Sequence, residues 1–338
     1  MKVNFLGNSI YKSKIVKKGL EFAADKGALF GAGASFAFST VARPIAIYST
    51  PKTEKENREL ACAKSFASSV VGLGIMTAVS LPISNSVKKI DSEPEKYLKP
   101  NTIERLKGGA KKLTDGKSYK FATQLFKLGI GAVGAIPKAL VVGALIPPIM
   151  ALTFKNKNKD IGAVEQQKNN TIKAKKSLNF TGNMKLPKEP LTKGIAKILN
   201  KESVQNFAEK YKDTNYAMHI TAATDLVATG AFIGQTKKSK KIDNERKNTL
   251  IYNSAISTGL SIGTTYAIDK GTKKSTDRFI ERFKEVNKES PKLDKYVEGI
   301  KIAKPLLILG AVYYCVIPFV STFFAERIDN IGKKKAKS

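Results

Sequence analysis

The chain has 338 residues and carries 59 Lys and Arg against 28 Asp and Glu, a formal net charge of +31. With one histidine and two well-separated cysteines, Cys62 and Cys315, the sequence argues against a zinc site and does not imply a disulfide framework. The basic excess is compatible with an anionic partner, either nucleic acid or an anionic membrane surface.

Six segments are rich in apolar residues, and a membrane-spanning helix needs roughly 20 such residues. The third and sixth segments are the clearest candidates for spans, whereas the other four contain many Ser, Thr, Gly and Ala. Lysine-rich polar stretches separate the segments, and the longest stretch includes a predicted short amphipathic helix over Leu191–Tyr211. The six segments are residues 27–48, 65–84, 125–154, 217–234, 250–268 and 305–325.

A pentapeptide recurs in the two halves of the chain, as NFLGN at Asn4–Asn8 and as NFTGN at Asn179–Asn183. After each copy come, in the same order, a basic arm, two apolar segments separated by a short charged loop, an amphipathic stretch and a long apolar segment. The amphipathic stretches share the pattern Ile-Glu-Arg-x-Lys, at Ile103–Lys107 and at Ile280–Lys284.

This order predicts an all-α membrane protein of two tandem three-helix repeats, with up to six apolar helices plus amphipathic ones. The first repeat covers residues 1–155, a linker covers residues 156–178, and the second repeat covers residues 179–338.

The F-x-G-N start of each half resembles that of uncharacterised Lys-rich bacterial multi-pass membrane proteins. The resemblance covers a few residues of each half and implies no activity. It implies a multi-pass location in a bacterial inner membrane. The residues that carry it are Phe5, Gly7, Asn8, Phe180, Gly182 and Asn183.

Two features favour helices in lipid over helices buried in a soluble core. Prolines inside the segments are better tolerated in a membrane bundle than in water. Small residues four positions apart let helix backbones approach closely in a bilayer, and they are candidates for contacts in a homo-oligomer. The small-residue pairs are Gly27/Gly31, Gly230/Gly234 and Gly259/Gly263.

The distribution of Lys and Arg gives no orientation if all six segments cross. With three spans per repeat, equivalent loops of the two repeats face opposite sides, and the two sides hold 27 and 29 basic residues. The positive-inside rule expects a clear asymmetry. Three explanations stay open: the long central linker counts for less, some segments do not cross, or the chain is a soluble or peripheral helical scaffold.

Three charged residues inside apolar segments form a candidate intramembrane polar site: Arg43, Lys138 and Asp225. Charge at membrane depth is costly, and it marks functional positions for that reason. Lys138 follows Pro137, and a helix break there would be typical of a transport site. The alternative is that Lys138 anchors two short helices at the interface or extends to the head groups.

The stretch GIGAVGA at Gly129–Ala135 matches the dinucleotide fingerprint, but Pro137 follows it closely and the next acid is Asp160. Glycine-mediated helix packing is the better interpretation. No Ser-His-Asp set, paired carboxylates or phosphate-binding loop is found, so we expect neither enzyme activity nor a cofactor or metal site.

The expected function is that of an integral membrane protein whose Lys-rich flanks contact anionic lipids. A small-solute or ion pathway at the interface of the repeats is one alternative, and a soluble or peripheral scaffold is another. Nucleic acid ranks last as a partner, because the basic stretch over residues 155–176 contains no aromatic residue for stacking.

Overall fold

The fold is known from a computed structural model, which describes residues 10–49, 55–153, 188–239, 244–318 and 320. Within those ranges the chain is helical and forms no strand. The all-α prediction is therefore confirmed. The repeated pentapeptide, the linker over residues 156–178 and the Lys-rich C-terminal tail lie outside the described residues.

The first half contains seven described α-helices and two short turns of other helix types. Ser13 begins the first helix, because its hydroxyl accepts a hydrogen bond from the N–H of Val16. The elements are α1 (Lys14–Asp25), α2 (Gly27–Ala37), a π-helical turn π1 (Phe38–Ala42), α3 (Arg43–Tyr48), α4 (Lys55–Ser92), α5 (Pro94–Tyr97), α6 (Pro100–Lys107), a 3₁₀ turn (Leu113–Asp115) and α7 (Lys117–Thr153).

In the second half, the amphipathic stretch predicted over Leu191–Tyr211 forms two helices, which are separated at Asn200 and Lys201. In each half two apolar helices, an amphipathic helix and a further apolar helix follow one another. This order agrees with a duplication, which stays a prediction. The elements are α8 (Lys188–Leu199), α9 (Glu202–Tyr211), α10 (Tyr216–Lys238), α11 (Asn244–Gly271), α12 (Lys273–Val286), α13 (Leu293–Ala311) and a π-helical turn π2 (Val312–Val316).

Three of the described helices are long and apolar enough to cross a membrane. They comprise Ser65–Ser92 of α4, Lys117–Val142 of α7 and Leu293–Val316 of α13 with π2, and they correspond to the second, third and sixth apolar segments. In the described residues the other three segments do not meet both requirements. Segment one is divided into short helices, and segments four and five contain many Ser, Thr and Gly. Six spans stay a prediction.

Helix ends meet in two hydrophobic cores at one end of the bundle, where α4 ends and where α7, α10 and α13 begin. We call this the basic end (residues 10–26, 88–127, 188–215 and 269–304) and the opposite one the distal end. One core includes Val87, Ile90, Tyr119, Leu199 and Ala208, and the other includes Ala23, Leu128, Ala217 and Ile302.

The two halves run in the same direction through the bundle, which corrects the expectation that their equivalent loops face opposite sides. Segment one starts at the basic end, where Gly27 packs against Leu128. Segment four starts there too, where the rings of Tyr216 and Phe121 lie 5.0 Å apart between centroids. The physical reason lies in α8 and α9, whose buried apolar faces fix the chain to the ends of α4 and α7 before α10 begins.

In the described ranges, this arrangement puts most of the charged residues at the basic end. Of the 42 Lys and Arg in the described ranges, 33 lie at the basic end and 7 lie at the distal end, within residues 55–64 and 236–250. The other two are Arg43 and Lys138. The balance of 27 against 29 was counted over the whole chain with all six segments crossing, and it put the fifth loop and residues 188–215 opposite the second loop. In the structure these three stretches lie at the same end.

One of the three small-residue pairs serves an internal contact. A Cβ atom at Gly31 would lie 3.1 Å from Leu306, and one at Gly27 would meet Leu128 and Ile302. That pair therefore packs inside the chain and is not available to an oligomer. Around the other four glycines a Cβ atom would meet nothing within 4 Å of the described chain, so an oligomer contact through them stays a prediction; they are Gly230, Gly234, Gly259 and Gly263.

The glycines of the third segment lie in one continuous helix, α7, which lacks the strand and turn that dinucleotide binding requires. A Cβ atom at Gly131 would lie 3.1 Å from Cγ2 of Thr224 on α10, and one at Gly134 would meet Met76 on α4. The interpretation as glycine-mediated helix packing is confirmed, and these glycines let α7 lie close to both neighbours.

Candidate functional site

Both π-helical turns precede a proline by two residues. A proline has no N–H to donate, and its ring crowds the carbonyl four residues earlier. For Pro44 and for Pro318 that carbonyl lies inside π1 or π2, where the wider turn gives it room. π turns of this kind occur frequently at functional sites. In each turn the closing hydrogen bond spans five residues: the N–H of Arg43 donates to the carbonyl of Phe38, and that of Ile317 donates to the carbonyl of Val312.

The two π turns contact each other and bring Arg43 beside two aromatic rings. Its guanidinium carbon lies 5.6 Å from the ring centroid of Tyr313 and 5.9 Å from that of Tyr314. Phe38 stacks on Tyr314, with centroids 6.3 Å apart. Gly310 makes room for this stack, because a Cβ atom there would lie 2.8 Å from the ring of Phe38. A guanidinium over aromatic faces gains about 0.5–2 kcal/mol.

Lys138 extends from α7 over Gly72 of α4. A Cβ atom at Gly72 would lie 3.1 Å from Cε and 3.2 Å from Nζ of Lys138, so the absence of a side chain at Gly72 makes room for the lysine in its present position. Of the alternatives for Lys138, a helix break at Pro137–Lys138 is not observed, because α7 continues through both residues. Neighbouring helices pack against α7 on either side, and such packing helps a helix to continue through a proline.

Asp225 lies on α10 and interacts with Lys138. Lys138 and Asp225 act electrostatically on each other, and the charge of Asp225 also acts on Tyr313 and Tyr314. Oδ2 of Asp225 and Nε of Arg43 are inaccessible to water, and neither has a hydrogen-bond partner within the described part of the chain. A buried polar atom without a partner costs free energy, which makes both atoms candidates for contact with a ligand.

The structure thus brings the three residues singled out in the sequence to one place, although they are far apart in the chain. We call this group, with its two tyrosines, the buried charged cluster (Arg43, Lys138, Asp225, Tyr313 and Tyr314). It lies where the two halves meet, since each half contributes charged residues. Two cations face one carboxylate, so the cluster has a formal charge of +1. Such a group can hold a small anion or accept and release a proton at the Asp225 carboxyl.

A second set of charges lies at the basic end and was not found in the sequence. Nζ of Lys295 donates a hydrogen bond of 2.9 Å to Asp25, and Nζ of Lys88 lies 3.2 Å from the same carboxylate. Burial raises the pKa of Asp25. The hydrogen bond from Lys295 and the charges of Lys295 and Lys88 outweigh that effect, so the pKa lies below its ordinary value of 3.8.

Hydrogen bonds extend this second set across four helices. The amide of Gln124 on α7 donates to Glu298 on α13 at 2.7 Å and to a backbone carbonyl of α1 at 2.8 Å. The hydroxyl of Tyr119 donates to Asp91 of α4 at 2.7 Å. The one signal in the sequence was Lys127, a charge inside segment three, which lies buried near both Asp91 and Glu298.

Among the residues that the structure describes, no group of three His, Cys, Asp or Glu side chains is arranged to hold a metal ion. No protein-family model, curated protein or solved structure matches the chain. The buried charged cluster and the basic end are therefore interpreted from their own geometry.

Proposed function

We propose that this chain is an integral membrane protein whose basic end lies against the anionic head groups of one leaflet. Three helices have the length and composition to cross a membrane. Large apolar side chains on the outside of the bundle support the proposal, because lipid would cover them. Val133, Ile136 and Leu226 are 61%, 50% and 58% exposed.

The observation that carries the proposal is the asymmetry of basic residues. In the described ranges the basic end holds 33 Lys and Arg with 18 Asp and Glu, a net charge of +15, whereas the distal end holds 7 Lys and Arg with 3 Asp and Glu, a net charge of +4. In membrane insertion, loops rich in Lys and Arg stay on the cytoplasmic side. We therefore propose that the basic end faces the cytoplasm. Since α7 ends at the distal end and α8 begins at the basic end, this proposal requires the chain to cross back between residues 153 and 188.

Lysine is the basic residue best suited to this role. Nearly all basic residues of the chain are Lys, and Arg occurs at seven positions. An ammonium is a compact hydrated charge, whereas a guanidinium makes shaped, bidentate contacts. Each Lys close to an anionic leaflet contributes about 1 kcal/mol, and the attraction decays within a Debye length of about 8–10 Å. Only the lysines nearest the head groups contribute fully.

An alkaline-carbonate wash of membranes from expressing cells tests this proposal, with a wash in high salt as its control. We expect retention in the pellet after both washes, because helices in lipid are not held by charge alone. Release by salt would favour a peripheral protein attached through its lysines. Release by carbonate alone would favour a helical scaffold that associates with another membrane component.

A pathway for a small solute or ion is the second candidate function, and the buried charged cluster supports it. Charged residues persist at membrane depth mainly on substrate and ion pathways. In proteoliposomes, Lys138→Gln and Asp225→Asn are expected to abolish flux while membrane insertion stays unchanged. Lys274→Gln removes an exposed charge at the basic end and serves as the control. Unchanged flux in both cluster variants would exclude the pathway.

A further inference from the structure

A groove at the basic end is lined by five lysines. It has a volume of about 650 Å³ and lies between the α5–α6 connection on one side and the α8–α9 connection on the other. Its cationic lining consists of Lys96, Lys99, Lys193, Lys197 and Lys201, with the side chain of Asn200 among them.

Most of this positive charge is not neutralised by a neighbour. Lys96 forms an ion pair of 2.8 Å with Glu93. The one acidic residue of the lining, Glu189, pairs with Lys89 of α4. The other four lysines of the lining form no ion pair within the described ranges. A concave surface with uncompensated cations concentrates anions from solution.

The groove is held in shape by hydrogen bonds between its two sides. The amide of Asn200 donates to the carbonyl of Tyr97 at 3.1 Å, and its oxygen accepts the N–H of Lys99 at 3.0 Å. On the other side, Ile195 and Leu199 are buried and fix α8 against the core. The cationic face of the groove is therefore preformed.

The spacing along the chain aligns the lysines of one side. Lys193, Lys197 and Lys201 follow one another at intervals of four, which puts them on one face of α8 and just before α9. Lys99 and Lys201 immediately precede α6 and α9, and neither helix has a side-chain cap. The partial positive charge of these two helix starts adds to the field of the lysines.

The position of the groove suggests the source of its ligand. Lys99 follows the candidate span Ser65–Ser92 by seven residues, and the Lys89–Glu189 ion pair ties α8 to the end of that span. If α4 crosses a membrane, the groove lies at the depth of the head groups. We infer that it binds the phosphate group of an anionic phospholipid. This inference rests on the proposed membrane location and goes further, because it assigns binding to one set of lysines.

Calorimetric titration of the full chain in neutral detergent tests the inference. The probes are short-chain phosphatidic acid, short-chain phosphatidylcholine and inorganic phosphate. We expect phosphatidic acid to bind more tightly than the other two. Lys193→Gln combined with Lys197→Gln should weaken that binding roughly 10- to 30-fold. Lys273→Gln combined with Lys274→Gln removes the same charge from the exposed surface of α12, and should change it less than about twofold.

Other results would overturn the inference. Equal weakening by both double variants would leave only a general attraction of the basic end, and no weakening would remove the groove from binding altogether. Equal affinity for inorganic phosphate and phosphatidic acid would exclude a lipid ligand. A lipid ligand would also be excluded if a single-stranded oligonucleotide bound more tightly than phosphatidic acid and the Lys193→Gln, Lys197→Gln variant abolished that binding. Since the titration needs no bilayer, its failure is distinguishable from release of the protein by carbonate.

Discussion

Lys138 of α7 and Asp225 of α10 act on each other inside the helical bundle, although they belong to different halves of the chain. Their helices run in parallel and pack closely through Gly131 and Thr224. Arg43 adds a second positive charge nearby, beside the tyrosines of π2. The contact between the halves is therefore partly electrostatic, and its stability should depend on keeping the charges together.

Removal of either charge of the Lys138–Asp225 pair should destabilise the fold. Each of Lys138→Gln and Asp225→Asn leaves an uncompensated charge inside the bundle, at a cost of about 2 kcal/mol, which is less than for a fully buried pair because both residues are only half-buried. The double variant should lose less than the sum of the two. A double-mutant cycle of unfolding in detergent measures this coupling. Additive effects would mean that the two charges do not interact.

Gly72 should be required for the position of Lys138. Gly72→Leu fills the space that Lys138 occupies over α4, and overpacking of this kind costs roughly 1–3 kcal/mol. Gly74 is two residues away in the same helix, and a Cβ atom there would meet nothing within 4 Å. Gly74→Leu is therefore the matched control and should change the unfolding free energy by less than about 0.5 kcal/mol. Equal effects would show that Gly72 is not in contact with Lys138.

The docking of α8 at the basic end should depend on its buried face. Leu199 is fully buried there, whereas the adjacent Ile198 is 40% exposed. Leu199→Ala should cost about 2–5 kcal/mol through the cavity it leaves, and it should expose α8 and α9 to limited proteolysis. Ile198→Ala should cost less than half as much. The opposite order would mean that α8 packs by another face.

The pH dependence of stability should include a contribution from Asp25. Its pKa is lowered in the folded state, so ionised Asp25 stabilises the fold above about pH 3.8, and this stabilisation is lost as the pH falls through the folded-state pKa. Asp25→Asn should therefore lower the unfolding temperature near neutral pH and make less difference in acid.

The control for this prediction is Asp294→Asn, which removes an exposed carboxyl on α13. Its effect should be small at every pH. If the difference between the chain and its Asp25→Asn variant grew on acidification, the ion pairs of Asp25 with Lys295 and Lys88 would not have the stabilising role that their geometry indicates.

Local patterns in the sequence predicted the helices well. Continuous apolar runs and the 3.6-residue period of the amphipathic stretches depend only on residues close together in the chain. In both halves of the described chain, these patterns correspond to helices. Arg43, Lys138 and Asp225 were found as candidates because charge is rare inside such runs. Their proximity does not follow from any local pattern, because it depends on which helices are neighbours.

The relative direction of the two halves, and the number of basic residues at each end of the bundle, could not be predicted from the sequence alone. Counting spans assigned equivalent loops to opposite sides, whereas α8 and α9 bring the chain back to the basic end before α10 begins. That return depends on burial of Leu199 and its neighbours against α4 and α7, a tertiary contact that nearest neighbours in the chain do not encode. The network around Asp25 was missed for the same reason, because its partners come from four separate stretches.

The orientation of the two ends of the bundle tests the central claim most directly. In a Cys62→Ser, Cys315→Ser background, Lys274→Cys labels the basic end and Lys238→Cys labels the distal end, and both positions are exposed. A membrane-impermeant thiol reagent is applied to intact cells and to inverted vesicles. We predict that Lys238→Cys reacts in intact cells and that Lys274→Cys reacts only in inverted vesicles. Reaction of both variants from the same side would contradict a bundle that crosses the membrane with its basic end in the cytoplasm.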